Sequence, residues 1–272
     1  MNPRPAATAL AALALCAAAC ASNSRRSRQT DEVRRAEEAL AAQDVRDPAR
    51  WDRLGSDAAD FDKDVSLRAY DRAETLLWPD ARPRNVVRLS LPFAGRWKVT
   101  QGNRGAYSHA RLADRFAWDF QLVDGRDESN PPGNEAPTAF YGFGAPVLAP
   151  ADGVVELVEN DVPDNLDGVR NHDRPGGNLV VLRHGAGEFS RVCHLQRGSV
   201  CVVLGQSVAR GEMIGRCGCS GNAVEPHLHF VLRVGPSADD FSVPMAFDDV
   251  RTSRGGDGVP SKGDVVTAAP GE

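Results

Sequence analysis

The sequence predicts an all-β fold, an antiparallel multi-stranded β-sheet over residues 85–250, with a short N-terminal α-helical extension over 21–84. Three observations predict it. Beyond Pro83 short alternating runs are separated by Gly, Pro, Asn and Asp clusters, with little helical periodicity as far as Val250. The cleanest run, Arg115–Leu122, sets Phe116, Trp118, Phe120 and Leu122 on one face and Arg115, Ala117, Asp119 and Gln121 on the other. A last run, His227–Val234, sets Leu228, Phe230, Leu232 and Val234 against His227 and His229.

The chain opens with Arg4 and an Ala/Leu run from Ala6 to Ala19, too short to span a membrane as a mature helix and flanked like a secretory signal peptide. Residues 1–20 are therefore expected to direct export. Ala17-Ala18-Ala19-Cys20 resembles the lipobox of a bacterial lipoprotein, which implies cleavage before Cys20 and acylation of its thiol. A plain signal peptide cut near Ala19 or Ala21 is the alternative; either way the mature protein leaves the cytoplasm for the cell envelope, the lipid-anchored form on the periplasmic side. Ser22–Gln29 is polar and Arg-rich, a tether. Thr30 as a cap, Asp31 and Glu32 in a first turn, and Val33, Ala36 and Leu40 as a stripe predict a helix ending near Gln43. A second is predicted over Val65–Leu77, before Pro79. No motif in this arm carries chemistry.

Strands are expected at Val86–Leu91, Trp97–Gln101, Arg115–Leu122, Ala145–Leu148, Gly153–Glu159, Asn178–Arg183, Phe189–Leu195, Val200–Val203, Met213–Arg216 and His227–Val234. Two polar insertions, Asp124–Gly144 and Asn160–Gly177, read as long surface loops, a length that is often functional. Residues 251–272, rich in Gly, Ser and Asp, read as a disordered tail.

With 42% hydrophobic and 25% charged residues, the 272-residue chain can bury a sizeable core. Its net charge of −5 offers no basic face, so nucleic acid is excluded as a partner. Beyond the leader four cysteines remain, Cys193, Cys201, Cys217 and Cys219, and in an oxidising setting disulfides are expected, with three possible connectivities. Cys217-x-Cys219 is one residue shorter than the common Cys-x-x-Cys zinc knuckle.

His227 and His229 share a strand face, and a bare His-x-His is a weak metal signal unless further ligands wait upstream. A hydrolytic zinc site needs three protein ligands and one open position. Asp119 lies on the polar face of its strand, because a carboxylate beside Phe116, Trp118 and Phe120 on the core side would be costly. Asp114 falls outside that strand and out of phase with its polar face, so Asp119 is preferred. His109 precedes both in a Gly- and Tyr-containing loop. His184, at a turn, and His172, in a polar loop, are set aside.

The order Ser108-His109, Ala117-Trp118-Asp119-Phe120, Ala149-Pro150-Ala151-Asp152-Gly153, Cys193-His194-Leu195, then Ser220-Gly221-Asn222 and Glu225-Pro226-His227-Leu228-His229-Phe230 resembles the lysostaphin/LytM-type zinc metalloendopeptidases over about Trp97–Val234. The resemblance implies that His109, Asp119 and His229 hold one Zn²⁺ beside a water, and that His194 and His227 are catalytic. It implies hydrolysis of peptidoglycan stem-peptide cross-links. One departure is that His109 and Asp119 stand ten apart, where short-spaced members place them four apart; the Asp124–Gly144 insertion is another, and is expected beside the cleft wall. Two rivals remain: a catalytically inert member that binds cell wall or activates a separate amidase, marked by missing ligands, and a zinc-stabilised structural domain, marked by a fourth ligand.

Overall fold

The computed structural model describes residues 25–43, 45–80, 82, 84–105, 109–255 and 258–268. The leader and the lipobox-like Cys20 lie outside these residues. The chain divides into two compact units, Met1–Asp80 and Ala81–Glu272.

The described part of the first unit is helical. α1 covers residues 25–42, α2 Pro48–Ala58 and α3 Lys63–Leu77. Thr30 does not cap α1 but lies inside it, its hydroxyl donating to the Arg26 carbonyl one turn back (3.0 Å). α2 was not expected, although its start follows a familiar rule: the Asp47 carboxylate accepts from the Ala49 amide (3.0 Å) and Pro48 opens the first turn. Asp62 caps α3 in the same way through the Val65 amide (3.2 Å). α2 and α3 touch at Gly55, where a Cβ would fall 2.7 Å from the Tyr70 ring. Among the described residues no helix is long and apolar enough to cross a membrane.

The second unit is built of strands β1 Trp97–Gln101, β2 Trp118–Leu122, β3 Pro146–Leu148, β4 Gly153–Glu159, β5 Asn178–Arg183, β6 Phe189–Leu195, β7 Ser207–Val208, β8 Met213–Arg216, β9 Leu228–Arg233, β10 Val250–Thr252 and β11 Val265–Ala268. Nine form one sheet in the order β10-β11-β1-β2-β9-β6-β5-β4-β7, and β3 pairs with β8 apart from it. Every strand pair is antiparallel. The fold is therefore all-β with a helical extension, as expected.

Several expectations need correction. Val86–Leu91 is no strand: Leu89 makes a single bridge to Phe247, and the Val86 and Val87 amides are satisfied by the Glu188 carboxylate (2.8 and 2.7 Å). Val200–Val203 is not one either, since the Val200 amide donates to the Asn160 side chain; β7 pairs with β4 instead. The expected tail from 251 folds back as β10 and β11, with Val265 and Val266 buried and β11 paired to β1. Its Gly and Asp content hid one short apolar pair. Val234, expected on the core side, lies past the end of β9 and is 49% exposed. All four cysteines are free thiols; Cys193, Cys217 and Cys219 are buried and Cys201 exposed.

The core beneath the central strands is aromatic. Phe93 stacks on Trp97 at 4.5 Å, while Phe247 sits 5.4 Å from both Trp118 and Phe230. Burying each such side chain stabilises by about 1.5–3 kcal/mol. Trp118, Phe120 and Phe230 are fully buried, so the outward-facing residues between them are held in place by packing.

His184, just past β5, is a structural histidine. The Asp152 carbonyl can only accept, so Nδ1 carries the proton (2.8 Å) and Nε2 meets the Ser190 hydroxyl (2.8 Å). Burial holds its pKa below the ordinary imidazole value. The unfolded chain then binds a proton that the folded chain refuses, so stability falls as pH drops through about 6.5. Replacing His184 by Asn is expected to make the denaturant midpoint less sensitive to pH between about 7.5 and about 5.5. An unchanged slope would count against a buried neutral imidazole.

Candidate metal centre

The pairing of β2 with β9 sets Trp118 opposite Phe230, Asp119 opposite His229 and Phe120 opposite Leu228. Because alternate side chains share a face, the aromatic residues turn inward and Asp119 and His229 turn out together. His229 Nδ1 lies 2.8 Å from Asp119 Oδ1. His109 comes in from the chain before β2, its Nδ1 donating to the Gly102 carbonyl (2.9 Å). That leaves His109 Nε2 as the basic nitrogen, and it is buried with no hydrogen-bond partner among the described residues, 3.3 Å from Asp119 Oδ1. One donor atom from each of the three residues lies within 4.8 Å of the others. A lone pair buried without a donor beside a carboxylate and a second imidazole suits a cation, and two nitrogens with one oxygen are the donors zinc favours.

The other two histidines adjoin them. His194 and His227 have ring centroids 4.6 Å apart, and His194 lies 5.9 Å from His229. His194 has a left-handed backbone (φ 62°) within β6. Such a conformation is uncommon for a residue with a Cβ and is found at functional positions. Here it breaks strand alternation. Cys193, its neighbour along the strand, is in register with His229 and lines the same cleft as His194. His194 Nδ1 donates to the Ser220 carbonyl (2.9 Å) and His227 Nδ1 to the Glu225 carbonyl (2.9 Å), so in the neutral forms each Nε2 is the free base. Glu225 is itself held by Gln121 of β2 (3.0 Å).

Charge is distributed unevenly over these groups. Burial lowers the pKa of His194, and the neighbouring His227 and His229 add to the effect, so it is neutral at pH 7. Burial also opposes ionisation of Asp119, but the adjoining imidazoles of His109 and His229 outweigh it and hold the carboxyl well below its usual range. For His229 burial is likewise overcome, by hydrogen bonds to Asp114 and Asp119, and its pKa is pushed up to about 10.

Asp114, set aside as a ligand, has a place that the sequence did not reveal. Its Oδ1 faces His229 Nε2 at 3.3 Å, on the ring edge away from Asp119, and accepts from Arg233 Nη2 at 2.5 Å. Arg233 is buried and also donates to the carbonyls of Ala113 (2.9 Å) and Ser237 (3.1 Å). Asp114 thus orients the imidazole whose other nitrogen faces the candidate metal position. Among the remaining sequence candidates, His184 belongs to the core and His172 lies in the 160–177 loop; neither joins the cluster. No residue of 124–144 lines the cleft, contrary to expectation. That segment closes on itself through Asp124 and buries Pro137 and Phe140. The cleft has a volume of about 470 Å³.

Residues 138–240 match peptidase family M23. The chain carries an M23 peptidase domain. The matched span includes His194, His227 and His229, while His109 and Asp119 lie ahead of it and enter through the geometry above. Over 107 residues the chain is 37% identical to the peptidoglycan DD-endopeptidase ShyA of Vibrio cholerae, covering 38% of this chain and 22% of that protein. Over 102 residues it is 35% identical to the cell division protein DipM of Caulobacter vibrioides, covering 38% and 15%. The chain thus spans under a quarter of the length of these relatives. The antimicrobial peptidase lysostaphin from Staphylococcus simulans aligns over 54% of this chain and 47% of its own, with 23% identity and a TM-score of 0.36.

Replacing Asp114 by Asn is expected to weaken zinc affinity roughly 10–100-fold, the usual effect of losing a carboxylate behind a metal-binding histidine. Competition with a chromophoric chelator reads this directly; an unchanged affinity would show that Asp114 does not position His229.

Proposed function

We propose that this domain is a zinc-dependent endopeptidase that hydrolyses peptide cross-links of bacterial peptidoglycan in the cell envelope. The observation that carries the reading is the buried, unpartnered Nε2 of His109, which meets Asp119 and His229 where a three-ligand site would leave one position open. His109, Asp119 and His229 hold the ion in this reading. When bound, zinc supplies a Lewis acid for the scissile carbonyl and lowers the pKa of water towards about 7.

This chain's own histidines then handle the proton. His194, neutral and fixed by Ser220 with Nε2 as its base, accepts the proton that the attacking water gives up. His227, oriented by the Glu225 carbonyl, presents Nε2 beside it and, when protonated, donates to the oxygen on which charge develops. A member that only binds cell wall or activates an amidase has no need of all five side chains gathered here. The substrate reading draws support from the relative named as a peptidoglycan DD-endopeptidase, and the envelope location from that relative and the export signal read in the sequence. Membrane attachment through an acylated Cys20 is part of the same proposal.

Purified sacculi incubated with the protein should release peptide fragments, stop doing so with a chelator and resume when Zn²⁺ is restored. His109→Ala and His229→Ala should lose the metal. His194→Ala and His227→Ala should keep one zinc per chain and lose about 10²–10⁴-fold in rate. Zinc bound to the unaltered protein with no bond cleaved would overturn the peptidase reading.

A further inference from the structure

The cleft holds a charge imbalance that the hydrolytic groups do not use. Four arginines line it, Arg111, Arg170, Arg191 and Arg233, against Asp114, Asp119 and Asp239. Arg233 is taken by Asp114 and Arg111 by Asp239 (3.6 Å), while Asp119 faces the histidines. The guanidinium groups of Arg170 and Arg191 are left with no hydrogen bond or carboxylate partner among the described residues. Arg191 is half-buried, and a guanidinium withdrawn from water without an anion is costly unless something else neutralises it.

Register fixes where Arg191 stands. Cys193 pairs with His229 and Arg191 with Val231, so Arg191 shares the sheet face of His229 and lies two residues further along β6. That step is about 7 Å. β6 and β9 run antiparallel, so Arg191 lies beyond the candidate metal position on the side away from His227. Arg170 reaches the same cleft from the 160–177 loop, whose Gly176 packs close to Arg191: a Cβ on Gly176 would come within 3.3 Å of Arg191 Nη2.

We propose that Arg191 and Arg170 form a carboxylate subsite, so that the substrate is a peptide bearing a free carboxylate within about two residues of the scissile bond, on the side away from His194 and His227. This rests on the peptidase reading and names the substrate class of that site. A guanidinium offers two parallel N–H donors to a carboxylate, which an amide cannot match.

The test is equilibrium binding by calorimetry to the zinc-loaded full chain, using a stem tetrapeptide with free carboxylates and the same peptide with them amidated. The free acid should bind the unaltered protein roughly ten- to a hundredfold more tightly than the amide, in line with a charge-assisted hydrogen bond. Arg191→Ala and Arg170→Ala should shrink that ratio while leaving amide binding and zinc content as they were, and Arg191→Lys should restore part of it. Equal affinity for the two peptides in the unaltered protein, or an equal loss for both in Arg191→Ala, would overturn the subsite. Sacculus digestion run alongside bears on the peptidase reading alone, because binding preference is read without bond cleavage.

Discussion

The interaction on which the site depends is the pairing of β2 with β9 in one register. Trp118 against Phe230 and Phe120 against Leu228 lock the inner face, and all four are fully buried. Because side chains alternate, that lock also brings Asp119 to His229 on the outer face. A slip of one residue would expose two aromatic rings and bury a carboxylate; either change costs several kcal/mol. Apolar packing therefore pays for a polar geometry that would be unfavourable by itself.

A second constraint acts through Ser220 and Gly221. The Ser220 hydroxyl donates to the Leu195 carbonyl (2.7 Å) and accepts from the Asn178 amide (2.9 Å), while its own carbonyl receives His194 Nδ1. Next to it, Gly221 has φ +73° and approaches the 175–177 backbone so closely that a Cβ would fall 2.4 Å from the Gly177 nitrogen. Only glycine fits there. The Ser-Gly-Asn run before β9 is thus the clamp that holds β6 in the bulged form His194 requires.

Much of this was legible because strands announce themselves by alternation. β4, β5, β6 and β8 have the bounds that the sequence predicts, and Asp119 and His229 were placed on the outer face from the pattern of their neighbours. What stayed hidden was set by tertiary contact. β11 has only a Val-Val pair inside a polar stretch, and the supposed strand at Val86 is tied down by a distant glutamate. The left-handed turn at His194, which brings Cys193 to the cleft beside it, leaves no mark on the alternation. Asp114 is set aside as a ligand by phase, but its pairing with Arg233 spans 119 residues and no local pattern encodes it.

Asp114 and Asp119 flank one imidazole, and their unequal surroundings decide which nitrogen is available. Asp114 is neutralised by Arg233, which three hydrogen bonds anchor in the interior. Among the described residues the Asp119 carboxylate meets only imidazoles: His229 at 2.8 Å, His109 at 3.3 Å and His227 at 3.9 Å. With no cation present, a proton on each nitrogen of His229 satisfies both carboxylates, which is why its pKa rises to about 10 despite burial. A divalent cation held beside Asp119 would compete with the proton on Nδ1 alone, because Nε2–H is engaged by Asp114. The second carboxylate therefore does more than hold a ring in place: it keeps Nε2 protonated and leaves Nδ1 to present its lone pair towards the candidate metal position.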